Sequence, residues 1–163
     1  MKIAIHQPQY MPWVGYFHKM ASVDVFVFLD DVQFKKNEWQ HRNRIRNAQG
    51  WQWLSVPTSY KFPQRIHEVR VKSELEWEKK HLRSLEMCYG KARFFDEYID
   101  AFRRYYLVKR ETMSAVAIDS VCLLADLMGI QTRREVSSSY AFEGVSTGRL
   151  VSICRHFNAD TYL

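Results

Sequence analysis

The feature of this sequence that most constrains its fold is a run of five apolar, β-favouring residues, Val25–Leu29. A strand with one solvated face alternates apolar and polar residues, whereas an unbroken apolar run is typical of a strand covered on both faces, as in a parallel sheet. Lys2–Ile5 is a second short apolar run, and the pattern between the two predicts a helix over Val14–Ala21. The start of the chain therefore predicts a βαβ unit.

The next segment has a different pattern. Asn43–Arg46 and Trp51–Val56 flank a polar turn that ends at Gly50, which predicts an antiparallel hairpin. His67–Val71 alternates between polar and apolar residues and predicts one more short strand.

The middle of the chain has helical periodicity, and we predict a helical insertion over residues 74–129. Ser73 followed by Glu76 fits a capping box at its start. Aromatic and aliphatic stripes at helical spacing follow, and Gly90 and Gly129 end two of them. At this spacing we interpret the stripes as core.

The end of the chain returns to the first pattern. Thr132–Ser137 predicts a strand, and Ser146 is the predicted N-cap of a helix. Asp160–Leu163 resembles the start of another strand. The whole predicts a single α/β domain over residues 1–163, with a Rossmann-like, mostly parallel sheet, an inserted β-hairpin and the central helical segment. Because the chain ends inside a strand, we expect this domain to be truncated at its C-terminus.

Composition restricts the class of protein. No stretch approaches the roughly 18 apolar residues of a membrane helix, and the N-terminus does not have the pattern of a signal peptide. The three cysteines form no CxxC pair, which favours a reduced, cytoplasmic protein. Zinc-ligand spacing, a P-loop and a GxSxG elbow are absent, so the sequence points to no metal site and leaves any cofactor unknown.

The first candidate site lies where the two predicted parallel strands end. His6 stands at the end of the first strand, and Asp30 and Asp31 follow the second. Ligands of open α/β sheets bind beyond the carboxyl ends of the strands, so we predict these three residues to be catalytic, with His6 as general base. The alternative is that His6 is a hydrogen-bonded core histidine and that Asp30 caps a loop.

The second candidate site combines amides, arginines and aromatic rings. Arginine grips phosphate or carboxylate through paired hydrogen bonds, amides bind hydroxyl groups, and a tryptophan offers a face to a sugar or base. Because the aromatics do not alternate regularly with the basic residues, the pattern favours a nucleotide-sugar and disfavours a nucleic-acid groove. The basic segment could also be a solvated edge strand. The predicted substrate-binding residues in and before this segment are Gln7, Tyr10, Trp13, Gln33, Trp39, Arg42, Asn43 and Arg44.

The third candidate site opens the last predicted helix. Ser146, Thr147 and Arg149 lie where free N–H groups and the helix dipole attract anions. We predict that these residues bind phosphate, although an ordinary helix cap would need only Ser146.

At these places the sequence resembles the WbqC-like protein family of bacteria. The matching pieces are Ile3–Trp13, Asp24–Phe34, Trp39–Ile45, Trp53–Pro57 and Ser146–Leu163, which together span nearly the whole chain. Members are found in gene neighbourhoods for surface polysaccharide and O-antigen, and they are described as glycine or acyl transferases acting on sugars. The resemblance implies the same activity and lipopolysaccharide biosynthesis for this chain.

A second resemblance concerns the nucleotide-binding scaffold. Phe142–Thr147 is similar to the R-T-x-G-I-S-T loop that holds nucleotide phosphates in cytidylyltransferase-type enzymes. Where those enzymes carry H-x-G-H, this chain has Trp13-Val14-Gly15-Tyr16, so Gly15 is retained and both histidines are replaced. This resemblance implies a retained scaffold with lost or rebuilt nucleotidyl-transfer chemistry.

Three functions follow as hypotheses. The preferred one is transfer of an acyl or aminoacyl (glycyl) group from an unidentified donor to a sugar or nucleotide-sugar. The second is a binding module for nucleotide-sugars or nucleic acid without catalysis. The third is a nucleotidyltransferase-like enzyme with rearranged active-site residues.

Overall fold

A computed structural model describes residues 1–163 as strands, helices and short 3₁₀ turns. The strands and helices follow in the order β1 (Lys2–His6), α1 (Val14–Ala21), β2 (Val25–Phe28), β3 (Arg42–Asn47), β4 (Gly50–Ser55), β5 (Thr58–Ser59), β6 (Arg70–Val71), α2 (Trp77–Tyr89), α3 (Phe95–Leu107), α4 (Met113–Leu127), β7 (Arg133–Val136), α5 (Ser146–His156) and β8 (Thr161–Tyr162).

Four of these strands form one parallel sheet in the spatial order β7-β2-β1-β8. In chain order these are the third, second, first and fourth strands of the sheet, the arrangement that begins a doubly wound nucleotide-binding fold. The direction of winding reverses between β1 and β8, which makes the end of β1 the topological switch point. The mixed α/β class, the parallel sheet and the inserted hairpin β3–β4 are as the sequence predicts.

The unbroken apolar run of β2 is explained by burial on both faces of the sheet. Phe26 and Phe28 pack with α1 and α4 on one side, while Val25 and Val27 pack with α5 on the other. All four side chains are buried, with exposed fractions of 2% or less. Burying a Val or Phe side chain stabilises the fold by about 1.5–3 kcal/mol relative to leaving it exposed.

A second hydrophobic core lies between the hairpin and the central helices. Leu54 from β4, Trp77 from α2, Tyr106 from α3 and Val116 from α4 contribute to it. Tyr10, from the loop after β1, is also part of this core, so that loop connects the sheet to the helical segment.

Three local predictions were wrong. His67 lies in a 3₁₀ turn, and only Arg70–Val71 of the predicted strand pairs, with β5. The capping box at Ser73 does not form, because Ser73–Leu75 is itself a 3₁₀ turn and Glu76, with φ 48°, precedes α2. Ser146 is the first residue of α5 and not its N-cap, a position held by Val145. The helices themselves lie where the periodicity places them, and none is long and apolar enough to cross a membrane.

Candidate active site at the carboxyl edge of the sheet

The ends of β1 and β2 lie side by side, as the first candidate site requires. His6 is in register with Phe28, and the amide of Leu29 donates to the His6 carbonyl at 2.9 Å. Asp30 and Asp31 follow directly, so the three predicted catalytic residues share one edge of the sheet, with His6 at the switch point.

The His6 imidazole is half-buried and is held in one orientation. Its Nδ1 lies 3.0 Å from the carbonyl oxygen of Gln7, and its ring rests edge-on against Tyr16 with the centroids 4.7 Å apart. A carbonyl only accepts, so Nδ1 carries the hydrogen and Nε2 keeps its lone pair. Burial lowers the pKa of His6 below its usual 6.5, an effect that the Gln7 hydrogen bond only partly opposes. The ring is therefore neutral at pH 7, which is the form a general base needs.

The Asp30 carboxylate is bound by serine groups and not by His6. Its Oδ2 accepts from the hydroxyls of Ser114, at 2.7 Å, and Ser138, at 2.9 Å. Its Oδ1 accepts from the backbone N–H of Ser138 at 3.0 Å. The residue is only 1% exposed. Asp30 therefore ties the end of β2 to the start of α4 and to the turn after β7, and it makes no hydrogen bond with His6.

The adjacent Asp31 joins the first and third candidate sites. One of its carboxylate oxygens forms an ion pair with the Arg149 guanidinium, and the other accepts from the Ser137 hydroxyl at 2.7 Å. Arg149 also donates to the Phe142 carbonyl at 2.9 Å. The sequence predicts that Arg149 binds phosphate, but in the structure its charge is balanced by Asp31. This ion pair fixes the first turn of α5 to the edge of the sheet. The buried Nε of Arg149 has no partner.

The other residues of the third site are open to solvent. Ser146 and Thr147 are exposed, and their side chains make no hydrogen bond within the protein. Thr147 lines a cleft formed by residues of α5 and β8, and none of the other predicted site residues lines that cleft.

A small polar cleft lies beside the loop that follows His6. It has a volume of about 160 Å³, and its lining includes Gln7, Lys35, Trp39 and Gln40. The Gln40 side-chain amide donates to Gln7 Oε1 at 2.8 Å, and the backbone amide of Tyr10 donates to the Trp39 carbonyl at 3.1 Å. The structure therefore brings Gln7, from the loop after β1, together with Trp39, from the segment before β3, in a space that suits part of a polar ligand.

Two predicted substrate-binding residues, Tyr10 and Asn43, form hydrogen bonds within the protein. Tyr10 is fully buried, and its hydroxyl lies 2.9 Å from His81 Nδ1 and 2.6 Å from the Tyr106 hydroxyl. The side-chain amide of Asn43 donates to the carbonyl of Met11, whose φ of 44° is left-handed. Both side chains hold the loop after His6, and neither ring nor amide is free for a ligand in this structure.

Two other predicted substrate-binding residues, Trp13 and Gln33, are exposed, and neither lines the polar cleft. Trp13 is 69% exposed, and its ring lies directly over Gly15, where an added Cβ would meet the ring at 2.0 Å. Gln33 is exposed and forms an isolated β-bridge with Arg65.

The remaining predicted residues gather on the exposed side of the hairpin. The Arg42 guanidinium lies 4.3 Å from the ring centroid of Trp53, and that of Arg44 lies 4.8 Å from Trp51 and 5.6 Å from Trp39. We call this surface the Arg–Trp face, made of Arg42, Arg44, Arg46, Trp39, Trp51 and Trp53.

Sequence reasoning missed several residues of this region. Ser114, Ser137 and Ser138 hold the two aspartates, and Trp51 and Trp53 complete the Arg–Trp face. The Ser-Ser-Ser run that begins at the last residue of a predicted strand could have identified Ser137 and Ser138, and the alternating Trp-Gln-Trp on one predicted hairpin strand could have identified Trp51 and Trp53. Ser114 has no such local signal. No three His, Cys, Asp or Glu side chains are grouped so as to hold a metal ion.

Comparison with known proteins identifies the family of this chain. The model of the WbqC-like protein family matches residues 7–163. The chain belongs to this family. A relative, the uncharacterized protein Rv1507c of Mycobacterium tuberculosis, is 36% identical over 168 residues, covering 99% of this chain and 71% of the relative. No solved structure matches the chain. Family membership is consistent with an enzyme, and it leaves the reaction to be argued from the site.

Proposed function

We propose that this protein is a transferase that moves an acyl or aminoacyl group, such as glycyl, onto a sugar or nucleotide-sugar in the assembly of bacterial surface polysaccharide. The observation that carries the proposal is the neutral His6 imidazole at the switch point of a parallel sheet, with Nε2 left as an acceptor. Residues at this position are well placed for chemistry because ligands of such sheets bind in the crevice beyond the strand ends.

In this mechanism His6 Nε2 takes the proton from the acceptor amine or hydroxyl as that group attacks the donor carbonyl. The tetrahedral intermediate collapses, the bond from the carbonyl carbon to the leaving group breaks, and His6 returns the proton to the leaving group. A well-placed general base contributes roughly 10²–10⁴ in rate. Gln7, held by its hydrogen bond from Gln40, supplies an amide for sugar hydroxyls in the polar cleft, and Trp39 supplies a stacking face.

The two aspartates have a positioning role in this proposal. Asp30 and Asp31 hold the strand end, α4 and α5 together through Ser114, Ser137 and Arg149. Arg42 and Arg44, which have no carboxylate partner, are the residues proposed to bind phosphate groups of the donor.

The nucleotidyltransferase alternative is less well supported by the geometry. The positions that correspond to the two histidines of H-x-G-H hold Trp13, whose ring covers Gly15, and Tyr16, which is 3% exposed. The Tyr16 hydroxyl donates to the Gln7 carbonyl at 3.2 Å, and burial raises its pKa well above 10. Neither group replaces an imidazole that binds phosphate.

The test compares His6→Gln with the matched variant His18→Gln, because His18 is exposed on α1. Thermal shifts with a panel of UDP-hexosamines identify the acceptor, since a ligand at a hundred times its Kd stabilises by about 2.7 kcal/mol. Mass spectrometry of that acceptor, after incubation with acetyl-coenzyme A or a glycyl thioester, reports transfer. We expect His6→Gln to lose about 10²–10⁴ in turnover while it keeps the thermal shift, and His18→Gln to lose neither. Equal turnover in His6→Gln would remove His6 from the mechanism, and a thermal shift without transfer in the wild type would favour the binding-module hypothesis.

A further inference from the structure

The hairpin presents two chemically different faces. Alternate residues of paired strands point the same way, so Ile45 and Leu54 turn towards the second core. The opposite face consists of Arg42, Arg44 and Arg46 on β3, in register with Ser55, Trp53 and Trp51 on β4. Every long side chain on this exposed face of the hairpin is therefore an arginine or a tryptophan.

Strand pairing interleaves charges and rings that are separate along the sequence. Arg44 is directly opposite Trp53, and Arg46 is directly opposite Trp51. Trp39 adds a third ring, 5.7 Å from that of Trp53 between centroids. The exposed fractions of Trp39, Trp51 and Trp53 are 40%, 53% and 38%. The linear sequence argued against nucleic acid because aromatic and basic residues did not alternate, and in the folded hairpin they do.

The arginines of this face have no counter-charge within the protein. None of the ion pairs in the structure includes Arg42, Arg44 or Arg46. Successive arginines on one strand are two residues apart, which is about 6.8 Å. This distance is comparable to the separation of neighbouring phosphates in an extended nucleic-acid strand. Repeating cations beside half-exposed rings are the pattern that binds single strands, with phosphates on the cations and bases stacked on the rings.

Two other ligands fit this face less well. A duplex stacks its bases on one another and leaves no base face for the tryptophans. A membrane surface is bound by rings that extend into the lipid beyond a rim of charges. Here the Arg44 guanidinium lies among three indole rings, 4.8, 5.5 and 5.6 Å from their centroids. The charges and the rings are therefore intermixed on one surface, and the rings do not extend beyond a rim of charges.

The face is continuous through Trp39 with the polar cleft beside the loop that follows His6. That residue packs against Trp53 and also lines the polar cleft with Gln7, the residue next to His6. A strand bound along β3 and β4 would therefore bring one of its ends to the carboxyl edge of the sheet. The arrangement suits a reactant whose transferable group sits at the end of a single strand.

We propose that the donor is an aminoacyl-tRNA, whose unpaired 3′ end binds along the Arg–Trp face and places its aminoacyl ester at His6. This inference rests on the proposed function and names its donor. The acceptor amine or hydroxyl attacks the ester carbonyl and loses its proton to His6. The bond between the carbonyl carbon and the ribose oxygen then breaks, and that oxygen takes the proton. The products are the aminoacylated sugar and a tRNA with a free terminal hydroxyl.

The binding test uses fluorescence anisotropy of a labelled single-stranded RNA ending in CCA. Three phosphate contacts predict that log K falls with log salt at a slope of about −2, from 0.7 per contact on a single strand. The double variant Arg44→Gln/Arg46→Gln should weaken binding about tenfold at 0.15 M salt and reduce the slope to about −0.7. Trp51→Ala should weaken binding by about 5- to 150-fold through lost stacking. The matched control is Arg155→Gln, which removes an exposed charge from α5, on the other side of the sheet.

The competing ligands are included as probes. Equal affinity for a duplex RNA, binding of phosphatidylglycerol vesicles or polygalacturonate in preference to the RNA, or an unchanged Kd in Arg44→Gln/Arg46→Gln would overturn the inference. Because Arg44, Arg46 and Trp51 are exposed, circular dichroism should show native folding in all of these variants.

The transfer test separates this inference from the proposed function. Glycyl-tRNA labelled in the glycine is the donor, and the UDP-hexosamine found by thermal shift is the acceptor. We expect label in the sugar, reduced by Arg44→Gln/Arg46→Gln and unaffected by Arg155→Gln. Transfer from a glycyl thioester but not from glycyl-tRNA would overturn the inference and leave the proposed function standing. RNA binding with no transfer from any donor would overturn the proposed function and, with it, the role of the RNA as donor.

Discussion

The role of Asp30 can be tested through the serine that binds it. In Ser114→Ala the hydroxyl that donates to Asp30 Oδ2 at 2.7 Å is removed, and both residues are buried, with exposed fractions of 4% and 1%. A hydrogen bond to a charged group contributes about 1.5–3 kcal/mol, and the change from serine to alanine leaves little empty volume. We therefore expect the free energy of unfolding to fall by about 1.5–3 kcal/mol. At about 2–4 °C per kcal/mol for a chain of this size, Tm should fall by about 3–12 °C.

Urea denaturation followed by circular dichroism measures this loss, and Ser84→Ala is the matched control. The Ser84 hydroxyl donates to the Lys80 carbonyl on an exposed helix surface, so its removal should change the free energy of unfolding by less than about 0.5 kcal/mol. A Ser114→Ala variant as stable as Ser84→Ala would refute the view that the hydrogen bonds of Asp30 stabilise the fold. Asp30→Asn extends the test to function: lost turnover at unchanged stability would return Asp30 to the catalytic role that the sequence suggested.

Two predictions concern pH. Burial lowers the pKa of His81 to about 4, so between pH 6.5 and about 4 the unfolded state binds a proton that the folded state does not. The free energy of unfolding should therefore fall across this interval, by up to about 2–4 kcal/mol at pH 4. Urea denaturation of the wild type and of His81→Asn at pH 7 and pH 4.5 measures this loss. The same pH dependence of stability in both proteins would contradict the prediction. Because burial also lowers the pKa of His6 below its usual 6.5, turnover should fall at acidic pH, in a step whose midpoint lies below pH 6.5. A pH–rate profile that still rises above pH 7 would mean that another group is the base.

The sheet could be predicted because its signals are local. Val25–Leu29 and Val14–Ala21 show their periods within a few residues, and the observed elements begin and end within one residue of the predictions. The capping box at Ser73 failed because a 3₁₀ turn there satisfies the backbone instead. A side-chain pattern at a helix start gives no information about such a competing turn.

The candidate site was only partly predictable because its contacts span the chain. Asp31 and Arg149 are 118 residues apart, and Tyr10 reaches His81 across 71 residues. Sequence reasoning assigned Asp31 and Arg149 to different candidate sites, and it could not show that they neutralise each other. The residues around Tyr10 in the sequence are typical of an exposed loop. Tyr10 is buried because α2 and α3 pack against it. Trp51 and Trp53 become part of a surface with Arg44 only through the hairpin register.

The loop after His6 has a consequence for how a ligand would be received. The backbone amides of Tyr10 and Met11 donate to the Trp39 carbonyl and, at 2.9 Å, to the Ser120 hydroxyl, and the Tyr10 ring is buried in the second core. Loops beside active sites commonly become ordered only when a ligand arrives, and that ordering reduces affinity. Here the conformational entropy of the loop is already lost when the chain folds. Amide hydrogen exchange at Tyr10 and Met11 should accordingly be as slow as in the sheet, and ligand binding should leave it almost unchanged.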